Sequence, residues 1–210
     1  MNNIVLYMWA TPNSRRVSIL FEELGLDFEV RPVNIRQQEQ FEPEILACNP
    51  YGKVPIVVWQ EKNTPRVLFE SGAILLQFAD AHNQFLATDG PARDETLAWL
   101  MVVLTALGPH SAQAHHWKEL APERSEPALQ HHRGLANRVY RLLDNHLSKR
   151  RYLTGEYSIA DMAAYPWIGV SDWTTLDIRD FPHLEAWYQD VGSRPAVIRG
   201  MSLPIGAVLE

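Results

Sequence analysis

Several polar side chains cluster in a short loop near the start of the chain. The apolar run NIVLYM (3–8) is followed by ATPNSRRV (10–17), which contains a threonine, an asparagine and a serine just before a helical pattern. Hydroxyl and amide donors at a helix N-terminus stabilise a thiolate. Because the loop contains no cysteine, a thiol that reacts there must arrive with a ligand. We expect Thr11 and Asn13 to stabilise that thiolate, with Ser14 as a third candidate.

Two further motifs could bind the rest of such a ligand. In KVP (53–55), proline opens a strand, or a cis peptide between Val54 and Pro55 turns the Val54 backbone towards a peptide-like ligand. In FESGAI (69–74), Ser71 lies at a helix start, where a hydroxyl and free N–H groups bind a carboxylate. The adjacent Glu70 could bind an ammonium group. Glu70 and Ser71 therefore match the zwitterionic end of an α-amino acid, although a plain helix cap is the simpler interpretation.

The elements that must position these residues form two regions, one with both strand and helix patterns and one with helix patterns only. The first 82 residues predict the order β-α-β-α-β-β-α, which is that of a thioredoxin-like domain. The first two strands should be parallel with a helical crossover, and the last two should form an antiparallel hairpin. The predicted strands cover residues 3–8, 27–33, 53–59 and 66–69, and the predicted helices cover 14–24, 41–47 and 71–82.

The remainder of the chain predicts helices only. Residues 83–92 read as a linker, and 93–210 as an all-helical domain. The fold class is therefore α/β plus all-α, with a thioredoxin-like domain over 1–82 followed by a helical bundle. The helices are predicted over residues 93–107, 126–148, 158–170, 183–191 and 194–201.

Composition narrows the classes of function. The chain has 210 residues and a net charge of −6, which argues against a nucleic-acid partner. No apolar run approaches the roughly 20 residues that span a bilayer, so we expect no membrane partner. The single cysteine, Cys48, cannot form an internal disulfide, and a reducing cytoplasm is the expected setting. Adjacent histidines in HHW (115–117) and HHR (131–133) point to different faces, so we expect no metal site.

The motifs together resemble those of cytosolic glutathione transferases. The resemblance covers KVP with ESGAIL, YLTGEYSIADMAAYPW (152–167) and FPHLEAWYQDVGSRPAV (181–197). The loop TPNS with RRV, and QFEPEIL (40–46), are most similar to the bacterial nu-class members. The resemblance implies that glutathione is the thiol co-substrate, and that Thr11 lies where the serine-type classes place their hydroxyl.

The resemblance also implies where glutathione binds. Glu70 and Ser71 would bind its γ-glutamyl end, and Val54 would pair with its cysteinyl backbone. The glycyl carboxylate would lie near two polar side chains. The implied binding residues are Gln40, Lys53, Val54, Pro55, Glu70, Ser71 and Arg138.

Arg138 resembles an arginine that reaches the partner subunit's glutathione site in nu-class dimers, so the resemblance implies a homodimer. A solvated arginine is an equal alternative. The implied reaction is reduction of a disulfide or peroxide by glutathione, or attack of glutathione on an electrophile. The alternative function is a non-catalytic protein that binds glutathione or a hydrophobic ligand, or a regulatory protein on the same fold.

Two other polar groups are assigned to folding rather than chemistry. Ser158 and Asp161 have the spacing of a capping box, which satisfies N–H groups at a helix start. Tyr7 could donate to a thiolate, but it falls inside the first predicted strand rather than in the loop after it.

Overall fold

The chain folds into two compact units in the computed structural model, which describes residues 1–207. The first unit contains Met1–Gln84 together with the segment from Arg194 onwards, and the second contains Phe85–Ser193. The predicted boundary kept residues 93–210 together, so the last segment is placed differently by the structure.

The first unit is built on a four-stranded sheet with the order β2-β1-β3-β4. Strands β1 and β2 are parallel and β3 and β4 are antiparallel, as predicted. The structure also pairs β3 antiparallel with β1, which the sequence analysis did not predict. The strands are β1 (Asn2–Met8), β2 (Phe28–Pro32), β3 (Ile56–Glu61) and β4 (Thr64–Phe69). The helices of this unit are α1 (Pro12–Glu23), α2 (Pro43–Cys48), α3 (Ser71–His82) and, from the end of the chain, α9 (Pro195–Met201).

The hairpin between β3 and β4 is tighter than the sequence predicted. Pairing continues to Glu61 and Thr64, so only Lys62 and Asn63 form the turn. Both have positive φ (49° and 65°), as a two-residue hairpin loop requires. The predicted turn included Pro65, but β4 is an edge strand, where proline is tolerated.

Each face of the sheet has its own apolar cluster. Helices α1 and α3 pack together, with the rings of Phe21 and Phe78 4.6 Å apart and Trp59 of β3 5.5 Å from Phe78. A second cluster contains Val33, Ile45 of α2 and Ile56. Trp59 and Ile56 are three residues apart on β3, and successive side chains of a strand point to opposite faces, so α1 and α3 pack on one side of the sheet and α2 on the other.

Helix α1 follows the predicted catalytic loop, and its second half contacts α9 and the residue before α9. The Ser18 hydroxyl donates to the Gly200 carbonyl at 2.7 Å, and Arg194 forms a bidentate ion pair with Glu23 (2.6 and 2.9 Å). Gly25 ends α1 with φ of 63°, which glycine adopts without strain. These contacts explain why the last segment belongs with the first unit.

The second unit is helical. Its helices are α4 (Gly90–Val102), α5 (Gly108–His115), α6 (Glu126–Leu147), α7 (Ile159–Ile168) and α8 (Pro182–Gly192). π-helical segments Val103–Leu107 and His116–Leu120 extend α4 and α5 into one helical stretch, Gly90–Leu120. The prediction ended this helix at 107, but the helix continues through glycine and proline at 108 and 109, residues that usually break helices. Helix α5 instead accommodates that proline in its first turn.

The stretch Gly90–Leu120 also corrects the expectation about apolar runs. Within the described residues, it is one helix long and apolar enough to cross a membrane by length and composition. Core helices of soluble proteins pass the same test, so this finding is weak evidence for a membrane.

The start of α7 contains a buried hydrogen-bond network centred on Asp161. The Asp161 carboxylate accepts hydrogen bonds from the backbone N–H groups of Ser158 and Leu153 (both 3.0 Å) and from Nε1 of Trp187 (2.9 Å). The predicted capping box between Ser158 and Asp161 is confirmed. Burial raises the pKa of Asp161, and these donors oppose the rise. This hydrogen-bond network therefore links the backbone at Leu153, helix α7 and helix α8.

Candidate active site

A cavity of about 190 Å³ in the first unit collects six of the nine predicted site residues. It lies where the start of α1, the segment before β3 and the start of α3 meet. Its lining residues are Asn13, Asn49, Tyr51, Lys53, Val54, Pro55, Glu70 and Ser71. The three motifs that the sequence singled out thus form one site.

The start of α3 supplies the charged part of the cavity. Ser71 is the first residue of the helix and is buried, and Glu70 precedes it as an exposed residue. Glu70 has φ of 69° and ψ of 110°, a region that residues with a Cβ rarely occupy. Its side chain makes no capping bond, so the carboxylate is not used to close the helix. The first-turn N–H groups and the Ser71 hydroxyl can together hold an anion.

A buried arginine, Arg16, donates a hydrogen bond to Ser71. The sequence analysis did not predict this residue as part of the site. Arg16 is only 1% exposed, and its Nη1 donates to Oγ of Ser71 at 3.2 Å. Burial lowers the pKa of Arg16 to about 9, while the Glu70 carboxylate opposes that change. The guanidinium therefore remains charged at neutral pH. Its position four residues before Leu20, on the apolar stripe of α1, was the available signal.

Asn49 fixes the loop that leads into β3. It is 1% exposed, its Nδ2 donates to the Lys53 carbonyl at 2.8 Å, and its Oδ1 accepts from the Tyr51 N–H at 3.0 Å. The Lys53 ammonium lies 5.2 Å from the centre of the Tyr51 ring. The Val54–Pro55 peptide is cis, which confirms the prediction. Sequence reasoning missed Asn49 itself, although Asn-Pro is a known turn signal.

The first turn of α1 contributes Asn13, which is exposed and lines the cavity. Thr11 does not line it. Thr11 is the N-cap of α1, where its Oγ1 accepts from the Ser14 N–H at 3.2 Å and donates to Oγ of Ser14 at 3.0 Å. The two hydroxyls therefore act as a pair.

Tyr7 lies elsewhere. Its hydroxyl accepts from Nη1 of Arg31 at 3.0 Å, and its ring packs against the cluster of Val33, Ile45 and Ile56. It is not among the residues that line the cavity. Its assignment to the strand rather than to the chemistry agrees with this position.

Two predicted binding residues lie outside the cavity. Gln40 lies in the 3₁₀ turn Glu39–Phe41, and its Oε1 is buried without a hydrogen-bond partner in the described part of the chain. Arg138 is an exposed residue of α6 in the second unit. Within residues 1–207, no group of three or more His, Cys, Asp or Glu side chains could hold a metal ion.

Comparison with known proteins identifies the family. Residues 10–81 match the family model described as the N-terminal domain of glutathione S-transferase, and residues 97–195 match that of its C-terminal domain. The chain belongs to the glutathione S-transferase family. Its four-stranded sheet followed by helices is the glutathione S-transferase fold.

Curated relatives and solved structures of the family extend over nearly the whole chain. "Disulfide-bond oxidoreductase YfcG" of Escherichia coli is 35% identical and covers 92% of each chain. A glutathione transferase family member from Pseudomonas fluorescens, solved with two glutathione molecules bound, is 36% identical with a TM-score of 0.88, covering 94% of this chain and 92% of its own. A glutathione transferase from Pseudomonas putida, solved with glutathione disulfide bound, is 31% identical with a TM-score of 0.89, covering 96% and 92%.

Proposed function

We propose that this glutathione S-transferase family member is an enzyme that uses glutathione to reduce disulfides, with peroxides and electrophiles as further acceptor classes. The observation that carries the proposal is the cavity in which Asn13, Val54, Pro55, Glu70 and Ser71 meet. A similar protein named as a disulfide-bond oxidoreductase supports the choice of disulfides as first acceptor. In its catalytic loop the chain resembles the nu-class members most.

The cavity offers a complementary group for each part of glutathione. Glu70 would bind the γ-glutamyl ammonium, and Ser71 with the N-terminus of α3 would bind the γ-glutamyl carboxylate. The backbone of Val54, preceding the cis Pro55, would pair with the cysteinyl residue. Lys53 is an exposed residue that lines the same cavity, and its ammonium is suited to the glycyl carboxylate. The resemblance implies that Gln40 would also lie near that carboxylate.

The glutathione sulfur would be activated by Asn13 and Thr11. A free thiol has a pKa near 8.5, so each unit by which donors lower that pKa gives roughly ten times more thiolate at pH 7, for about 1.36 kcal/mol. The Asn13 amide can donate from the cavity wall. If Ser14 donates to Thr11 instead of accepting from it, the Thr11 proton becomes available to the sulfur.

The reaction then balances with two glutathione molecules. The first thiolate attacks one sulfur of the substrate disulfide, forming a mixed disulfide and releasing the other sulfur as a thiolate that takes a proton. A second glutathione thiolate attacks the glutathione sulfur of the mixed disulfide. Glutathione disulfide forms and the second substrate thiol leaves. We further propose a cytoplasmic homodimer, in which Arg138 of one subunit reaches the glutathione site of its partner.

Retention on immobilised glutathione, followed by turnover assays, tests the proposal. The purified protein should be retained, and should consume glutathione faster with a small test disulfide than with a hydroperoxide, which also oxidises glutathione, or with an aryl halide, which glutathione displaces to form a thioether. If the folded protein is not retained, both the proposed glutathione-dependent activity and the proposed glutathione site are wrong. Retention without turnover of all three acceptors would make it a binding or regulatory protein.

Variants test the two activating groups. Asn13→Asp should lower turnover at pH 7 more than Asn13→Ala, because a carboxylate beside the sulfur raises the thiol pKa. Thr11→Ser should retain turnover, and Thr11→Val should lose it. Tyr7→Phe is the matched control and should leave turnover unchanged, since its hydroxyl is bound to Arg31. If the Asn13 and Thr11 variants lose only glutathione affinity, those residues position the ligand without activating it.

A further inference from the structure

The bond between Arg16 and Ser71 has a direction that limits what Ser71 can do. A guanidinium has donors and no acceptor, so Arg16 can only donate to Oγ of Ser71. The bond uses an acceptor lone pair of Ser71 and leaves its own O–H proton unused. No acceptor for that proton lies among the described residues, and Ser71 lines the cavity. The proton is therefore available to an acceptor that enters the cavity.

The charge of Arg16 acts in the same sense. The guanidinium is buried within the first unit, and its Nε has no hydrogen-bond partner in the part of the chain that the structure describes. A charge with so little water around it acts strongly on groups nearby. The exposed Glu70 carboxylate adjoins Ser71 and would repel a ligand carboxylate. Arg16 offsets this repulsion at Ser71 without contacting the ligand.

We propose that Arg16 is a positioning residue: by donating to Oγ of Ser71 it orients the Ser71 O–H into the cavity and thereby favours a carboxylate at the start of α3. This inference rests on the proposed function, because the carboxylate it selects is that of the γ-glutamyl group of glutathione. Arg16 and Glu70 then recognise different groups of the γ-glutamyl end of glutathione. Arg16, acting through Ser71, requires the carboxylate, while Glu70 binds the ammonium.

The test compares two ligands by isothermal titration calorimetry. One is glutathione, and the other is an analogue whose γ-glutamyl α-carboxylate is converted to the primary amide. Arg16→Met should weaken glutathione binding roughly tenfold, the scale of one charge-assisted hydrogen bond, and change binding of the amide analogue less than about twofold. Arg31→Met, which removes an exposed arginine from the same unit, is the matched control and should change neither.

Dependence on Ser71 is measured by a double-mutant cycle. In the Ser71→Ala background, Arg16→Met should cause little further loss of glutathione affinity, because the hydroxyl through which it acts is absent. Arg16→Lys, which also only donates, should restore most of the preference for the carboxylate. Arg16→Gln should not, because its amide oxygen can accept the Ser71 proton. In turnover assays over a range of glutathione concentrations, Arg16→Met should raise KM for glutathione and leave kcat unchanged.

Three outcomes overturn the inference. The first is equal weakening of both ligands by Arg16→Met, and the second is full additivity with Ser71→Ala. The third is equal behaviour of the Lys and Gln variants, which are compared with each other if Arg16→Met does not fold. Failure of the unaltered protein to bind glutathione would instead overturn the proposed function, so the two failures are distinguishable.

Discussion

Gly200 allows α9 to approach the backbone of α1, and a methyl group there should be costly. A Cβ on Gly200 would lie 2.7 Å from both Cα and N of Ile19, which are backbone atoms that cannot rotate away. Overpacking of this kind costs about 1–3 kcal/mol. The separation would also stretch the 2.7 Å bond from Ser18 to the Gly200 carbonyl, which is worth about 1 kcal/mol. Replacing a helical glycine by alanine returns about 0.8–1 kcal/mol.

The net expectation for Gly200→Ala is a loss of about 1–3 kcal/mol, or a fall of several degrees in Tm at about 2–4 °C per kcal/mol. Gly134→Ala is the matched control. Gly134 lies within α6 with nothing within 4 Å of its Cβ position, so the same substitution should raise Tm slightly. Thermal unfolding followed by circular dichroism measures both. A rise in Tm for Gly200→Ala equal to that of Gly134→Ala would refute the packing of α9 on α1.

Three further predictions concern single groups. Asp161→Ala should destabilise the second unit by at least about 3 kcal/mol in urea unfolding, because several buried donors lose their acceptor. A loss below about 1 kcal/mol would contradict a stabilising role for the Asp161 hydrogen-bond network. Glu70→Gly should be about 1 kcal/mol more stable than Glu70→Ala, because φ of 69° strains a residue with a Cβ, while both lose glutathione affinity. Burial lowers the pKa of His110, His115 and His132, so the folded state binds fewer protons below pH 6.5 than the unfolded state. Tm should therefore fall as pH decreases from 7 to 5, and a rise would contradict the burial of these rings.

Features encoded by local sequence were predictable, and features created by distant contacts were not. The cis Val54–Pro55 peptide and the placement of Glu70 and Ser71 follow from short motifs. Arg16 and Ser71 are 55 residues apart, so nothing local to either reveals their bond. The attachment of α9 depends in the same way on Ser18 and Gly200, 182 residues apart. An arginine on an apolar helix stripe is the kind of signal that points to such a contact.

The most direct test of the central claim is the steady-state rate of reduction of a small test disulfide by glutathione, measured with the unaltered protein and with Glu70→Gln. If glutathione binds in the cavity and supplies the reducing thiol, the unaltered protein should exceed the uncatalysed rate. Glu70→Gln should raise KM for glutathione roughly tenfold, since it loses a charged contact to the ammonium. A rate equal to that without protein, or a KM that Glu70→Gln leaves unchanged, would contradict the account.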